Sequence, residues 1–397
     1  MGRRITPFVS FYQKNYQRTS WTPGLHSMEM KGDLTQPMLN VAVEIYKRQP
    51  SRNVFFSPFS IVAALSMILP GTRGDTAKQI AATLHIQEDT HKAFSQLLKS
   101  LQRYARDITL KIATRIYALE SLKPLDDFCA FLKDCYSTSI ESVDFGDDAV
   151  RREINAWVEQ VTNGKIKDLL LPGAVSCSTV LILVNAVYFK GAWRKSFEEC
   201  DTTSMDFHTT SSTTKVVKMM FRNGCFKMAY NKELKANALQ LPYSGNAAFM
   251  IVLLPDNIDG LKFLQERVTP QNLSFTLRVM KMKEDVDLYL PKFKVEQTME
   301  LKKVLMDLGV KDLFECSADL TGITERSGVR FSDVVHKAFV DVNEEGTEAA
   351  AATSMVMTDS LPIAGDEPKV FKVDHPFMFL IMAGDVVLFV GSLSDPE

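Results

Sequence analysis

The residues of this chain that could do chemistry stand apart from one another. Its six histidines are isolated in the sequence, and its six cysteines (Cys129, Cys135, Cys177, Cys200, Cys225 and Cys316) form no Cys-x-x-Cys pair. His-Glu-x-x-His, Gly-x-Ser-x-Gly and Gly-x-x-x-x-Gly-Lys are all missing, so zinc, acyl-transfer and phosphate-binding signatures have no residues to carry them. His336 lies in Ser-Asp-Val-Val-His-Lys-Ala-Phe, a strand-like run in which a hydrogen-bonded core histidine is the default. A Ser/His/Asp triad is assembled in space, so hydrolysis stays open here on that ground alone, and the expectation is a protein that is not an enzyme and holds no metal. Cys129 and Cys135 fall on different faces of a helical stretch, which does not suit a bridge. Free thiols in a reducing compartment fit best.

A different chemistry is legible between Glu344 and Thr353, where the chain runs Glu-Glu-Gly-Thr-Glu-Ala-Ala-Ala-Ala-Thr. In water these small side chains have almost nothing to bury. Laid out as a strand, successive residues alternate between faces. Thr347, Ala349, Ala351, Thr353, Met355 and Met357 then share one uncharged face that a core can accept. Glu348, Ala350, Ala352, Ser354, Val356 and Thr358 take the other. Such a segment could leave water and join a sheet. Two other states stay open on composition. Alanine is the best helix former, so residues 347–355 could make a short helix, although an isolated helix below roughly 12 residues is marginal in water. A linker is the third state, though Gly, Ser or Pro would be commoner there.

The rest of the chain supplies helices first and strands later. Up to about residue 170 the patterns are mainly helical. Leu39, Ala42, Val43 and Tyr46 form one stripe. Ser57 is placed as an N-cap before Pro58 in a helix that stops at Pro70-Gly71. Asp75 is placed to cap a helix carrying Ile80 and Leu84. Phe128, Phe131, Leu132 and Cys135 form a further stripe, and Ile154, Val158 and Val161 another that Gly164 ends. Then the period changes. Thr179 to Phe189 is apolar except for Asn185, the mark of a strand covered on both faces. Ala247 to Leu254 is similar, and Val286 to Pro291 alternates. Met299 to Leu308 reads as a short helix closed by Gly309, and Phe377 to Val390 as a buried hairpin split by Gly384-Asp385. This is the order of an α+β fold.

With 397 residues, 46% hydrophobic and 24% charged, the chain can bury a large core, and no Pro/Gly/Ser linker or repeat divides it into further domains. The net charge of −2 gives no reason to expect nucleic acid or an anionic membrane as partner. No run of 18 apolar residues occurs. Residues 1–33 read as a basic, aromatic, disordered extension without the apolar core of a signal peptide, and Met28 is an alternative start. Asn272-Leu-Ser274 is a lone glycosylation sequon.

Several separated segments converge on one family. They are Asn53-Val-Phe-Phe-Ser-Pro-Phe-Ser60, Gly71-Thr-Arg-Gly-Asp-Thr76, Asn185-Ala-Val-Tyr-Phe-Lys-Gly-Ala-Trp193 and Leu290-Pro-Lys-Phe293. Ala318-Asp-Leu-Thr-Gly-Ile323, His336-Lys-Ala338, Asn343-Glu-Glu-Gly-Thr-Glu-Ala-Ala350 and Asp374-His-Pro-Phe377 complete the set. In this order and spacing the chain resembles a serpin, a serine protease inhibitor, over residues 34–397. The resemblance implies a single domain with three β-sheets, eight or nine helices and an exposed reactive-centre loop over about residues 344–369. It implies an inhibitory type, in which a target protease attacks the loop, forms an acyl-enzyme and is trapped when the cut loop enters the main sheet as a strand. The hinge would be Glu344, Glu345, Gly346, Thr347, Glu348, Ala349, Ala350, Ala351, Ala352 and Thr353. Ser57, Ser60, Asn185 and His336 resemble the polar cluster where strands must part, and Trp193, Lys292 and Glu344 the group where insertion begins, with an ion pair expected between Lys292 and Glu344.

Counting from Gly346 as the family does puts the scissile bond at Ser360–Leu361, with Asp359 and Met357 as alternates. Serine before the cut suits an elastase-like enzyme. Asp359 suits an Asp-directed one, including a caspase-like cysteine protease. No Lys or Arg lies between Glu348 and Pro368, so a trypsin-like target is not expected. The protein is expected to be a monomer without a cofactor, although Lys92, Lys99, Arg103 and Arg106 on a helical stretch would allow a heparin-like polyanion. A non-inhibitory serpin used for binding, storage or chaperoning is the alternative function. The expected location is cytoplasmic or nucleocytoplasmic, or extracellular if the N-terminus is misassigned.

Overall fold

A computed structural model of the protein describes residues 34–50, 52–86, 108–347 and 368–396. The strands are β1 (Val54–Phe56), β2 (Ile108–Leu119), β3 (Ile140–Val143), β4 (Leu181–Ala192), β5 (Thr203–Thr210), β6 (Thr213–Asn231), β7 (Ala236–Pro242) and β8 (Ala248–Pro255). They continue with β9 (Lys281–Pro291), β10 (Phe293–Glu300), β11 (Phe331–Val342), β12 (Gly346–Thr347), β13 (Lys369–Lys372), β14 (Phe377–Ala383) and β15 (Val386–Leu393). The helices are α1 (Thr35–Lys47), α2 (Pro58–Ile68), α3 (Gly74–Leu84), α4 (Asp126–Tyr136), α5 (Asp148–Val161), α6 (Leu261–Arg267), α7 (Pro270–Val279) and α8 (Leu301–Asp307). The architecture is α+β, as the sequence pattern and the resemblance both imply.

Six strands form one sheet in the order β10-β11-β12-β4-β2-β3. Nine form the other, β1-β15-β14-β8-β7-β6-β9-β13 with β5 on β6. Two of the three expected sheets are therefore continuous, because β6 is 19 residues long and pairs β5 along its first part, β9 along its middle and β7 along its last.

Strand β4 positions the site. Its alternate residues Ile182, Val184, Ala186 and Tyr188 pack with Ile154 and Val158 of α5 and with Leu169 and Leu170 in the chain that follows. Asn185, on the opposite face, meets α2 through Ser60. Both faces are covered, which is why the run is apolar. Ser57 caps α2, its hydroxyl accepting from the Ser60 N–H, with Pro58 at the first position. Every residue of α2 is buried.

Two sequence expectations need correction, and the lone sequon finds a structural role. The region before residue 170 holds β2, which lies antiparallel on β4 from Ile108–Gly191 to Ala118–Leu181. Its β-branched, alternating sequence Ile-Thr-Leu-Lys-Ile-Ala-Thr-Arg-Ile-Tyr suits that pleat. Asp75 does not cap α3, which starts at Gly74. Instead it lies in the first turn, 2.9 Å from Lys78, where its charge favours the helix N-terminus. Asn272 is no glycan acceptor in this fold. It is buried, and its side chain accepts from the Thr269 N–H in a capping box. All six cysteines are free.

Candidate functional site

Strands β11 and β4 run parallel, in unbroken register from Asp333–Ile182 to Phe339–Tyr188, after one irregularity that separates this run from the Phe331–Leu181 pair. Beyond that point they separate, and β12 fills the wedge. Gly346 pairs with Ala192 and Thr347 with Gly191 on β4, while Thr347 also pairs with Val342 on β11. The chain reaches this position through a tight turn built on Asn343. Its N–H donates to Gly346 O (2.8 Å), and its Oδ1 accepts from the N–H groups of Glu345 (3.1 Å) and Gly346 (3.2 Å). Side chains of Asn organise turns in this way because they bond to backbone two and three residues on.

The turn is held from the side by the end of β4 and the chain beyond it. Trp193 Nε1 donates to Asn343 O (2.9 Å), Trp193 N to Glu345 O (2.8 Å) and Phe197 N to Glu344 O (2.8 Å). Glu344 is buried, with Lys292 Nζ 2.7 Å from Oε2 and Thr202 Oγ1 donating to Oε1 at 3.0 Å. Burial pushes the Glu344 carboxyl up. Hydrogen bonds from Lys292, its own backbone and Thr202, with the Lys292 charge, outweigh it and hold the group below the usual carboxylate range. Space here admits only glycine at two places. A Cβ on Gly346 would sit 2.1 Å from Gly191 O, and one on Gly191 would sit 2.9 Å from Tyr243 Cδ1.

Lower in the same seam, Asn185 of β4 and His336 of β11 are direct register partners. His336 Nε2 accepts from Ser57 N–H (3.1 Å), so the ring proton is on Nδ1, which meets Asn185 Oδ1 at 2.6 Å. Ser57 Oγ donates to Leu388 O of β15 (2.7 Å), Ser60 Oγ to Asn185 Oδ1 (2.9 Å) and Asn185 Nδ2 to Thr114 Oγ1 of β2 (2.6 Å). Burial alone drives the His336 pKa down to about 3. The imidazole is neutral, fully enclosed and committed to two bonds, so it has neither the access nor the free nitrogen that general-base chemistry on a substrate needs.

The structure thus brings together Trp193, Lys292 and Glu344 at the top of the seam, and Ser57, Ser60, Asn185 and His336 across its middle. It adds Thr202, Phe197 and Tyr243 to the first group and Thr114 to the second. None of these four has a local sequence signal, and Thr114 lies on the strand that the helical reading missed. Of the hinge, Glu344 to Thr347 are described. Glu348 to Thr353, Met357, Asp359, Ser360, Leu361 and the basic residues Lys92, Lys99, Arg103 and Arg106 lie outside the described residues, as do residues 1–33. Among the described residues no group of three or more His, Cys, Asp or Glu side chains could hold a metal ion.

Comparison with known proteins gives a consistent result. A family model described as Serpin (serine protease inhibitor) matches residues 35–396. The chain is 50% identical to Iris of Ixodes ricinus, over 92% of this chain and 100% of that one. It is 39% identical to the leukocyte elastase inhibitor of Bos taurus, over 91% and 98%. Among solved structures, Serpin48, described as a highly specific serpin in the insect Tenebrio molitor, superposes with a TM-score of 0.80 at 34% identity, over 92% and 97% of the two chains.

Proposed function

Because the chain belongs to the serpin family, we propose that it is a suicide-substrate inhibitor of serine endopeptidases that traps its target by taking the cleaved loop into the seam between β11 and β4. The observation that carries this reading is β12. Thr347 already forms ladder pairs with both strands and Gly346 with β4, in the place and direction that a full insertion would follow. A protease serine would add to the carbonyl carbon of Ser360, the amine of Leu361 would leave, and the serine would hold the chain as an ester. Residues from Glu348 onward would then follow Thr347 into the sheet, carrying the protease with them. Until the cut, the loop's far end is tied to β13, which is paired with β9 in the other sheet.

The likeness to a relative named leukocyte elastase inhibitor supports an elastase-like target, as does the small Ser360. Asp359 supports an Asp-directed enzyme, whether a serine protease or a caspase-like one. Incubation with an elastase, an Asp-directed granzyme and trypsin, followed by denaturing electrophoresis, tests the proposal. A complex stable in detergent is expected with one of the first two and not with trypsin. Simple cleavage with turnover by every enzyme would overturn it.

A further inference from the structure

Thr347 is fully buried, and its Oγ1 lies 2.6 Å from the hydroxyl of Tyr243, also fully buried. Tyr243 belongs to neither strand of the seam. It sits in the turn between β7 and β8 of the nine-stranded sheet, where both its backbone and its ring are fixed. Its N–H donates to Ala248 O (3.0 Å), and the preceding Pro242 O accepts from Arg194 N (3.0 Å). Its backbone makes an antiparallel bridge with Trp193. Its ring stacks on Trp193 with centroids 4.6 Å apart and planes 10° from parallel, and stands edge-on to Phe189 at 5.2 Å. A phenol so enclosed stays neutral, because burial pushes its pKa up. It offers one preoriented hydroxyl at the spot where the Thr347 side chain enters between β11 and β4.

We propose that Tyr243 is a positioning residue for loop insertion: its hydroxyl latches Thr347 between β11 and β4 in the intact protein, so that insertion after cleavage lengthens an existing strand instead of starting one. Starting is the unfavourable part of such growth, since backbone freedom is lost before the ordered segment has gained its bonds. With Gly346 and Thr347 already docked, each further residue adds to a template present on both sides. The latch also favours a hydroxyl at position 347, because an apolar side chain there would leave the Tyr243 hydroxyl buried without its partner.

The inference rests on the loop-insertion reading, and two variants of the full-length chain separate the two. Tyr243→Phe keeps the ring stack and removes one oxygen, and Thr347→Val keeps the shape at the other end. Hydrogen exchange of the amides of residues 343–347 is followed in the uncut protein, together with the ratio of trapped to merely cleaved product with elastase. Each single variant is expected to speed exchange of these amides about fivefold, the worth of one ordinary hydrogen bond, and to shift the product ratio toward cleavage. The double variant is expected to be no worse than either single one, because all three lack the same bond. Unchanged exchange in both single variants, or effects that multiply in the double variant, would overturn the latch. Thr347→Val decides the matter alone if Tyr243→Phe fails to fold. Wild-type protein cut in its loop reports separately on insertion: a gain in heat resistance with unaltered exchange in the variants refutes only the latch, and no gain refutes the insertion reading beneath it.

Discussion

His336 joins β11 to β4 through Asn185, and it does so as a neutral ring. Its folded pKa of about 3 lies below the usual histidine value near 6.5, so the folded state resists a proton that the unfolded chain accepts. Its contribution to stability is complete above about pH 6.5 and is lost as the pH falls toward 3. Urea unfolding measured between pH 7 and 4 should therefore show a loss of stability that His336→Gln flattens, and an equal slope in the variant would contradict this. At Thr347 a charge should act differently. The residue is already enclosed in the uncut protein, so Thr347→Arg would expel the docked pair as well as bar the core to later residues. We expect a small drop in melting temperature and conversion from inhibitor to substrate, read as loss of detergent-stable complex while loop cleavage persists. The polar residues of the seam were legible because each stands in a short recurrent segment, Ser57 and Ser60 in one and Asn185 and His336 in two others. Tyr243 was not, since it lies 104 residues from Thr347 in sequence and only the fold makes them neighbours.

At the scale of elements, β12 depends on a backbone approach that any side chain would block. The carbonyl of Gly191 lies where the Cβ of a residue at 346 would be. Gly346→Val should undock the pair and slow insertion, raising the moles of inhibitor consumed per mole of protease trapped by roughly tenfold if the loss is near 1.4 kcal/mol. Titration of active elastase with the variant measures it, and a stoichiometry equal to wild type would show that docking is not needed. Strand β4 was readable because two-sided burial leaves an unbroken apolar run. Strand β2 was not: most of its side chains are only half-buried, and its flanks gave no turn signal strong enough to break a helical reading. The turn at Asn343 likewise needed the fold, because its Oδ1 has a role only when β11 has ended and the chain reverses.

For the molecule as a whole, the proposal makes the uncut state the less stable one. If about ten residues each gain a ladder bond worth ~1 kcal/mol, insertion stabilises by on the order of 10 kcal/mol, comparable to the stability of a whole domain. A melting temperature raised by roughly 20 °C after loop cleavage is then expected in calorimetry. A cut protein that melts with the uncut one would instead suit a serpin fold used for binding or storage. The fold class was open to sequence reasoning because helix and strand periods are strong over long segments. That two of the sheets are joined through β6 was not, since nothing local states which strand a 19-residue strand will pair with along each part of its length.

The seam between β11 and β4 is parallel, although β10 lies antiparallel to β11 and β2 antiparallel to β4. Parallel pairs are slightly weaker per residue. A chain that doubles back from the end of β11 opposes β11 in direction, and because β4 shares that direction it opposes β4 too. Filling the seam exchanges one slanted set of hydrogen bonds for two perpendicular ones. On the proposed insertion the sheet would select its guest by polarity as well as by side chain, and a free peptide matching residues 347–357 should be taken up only in the sense that the tethered chain would adopt.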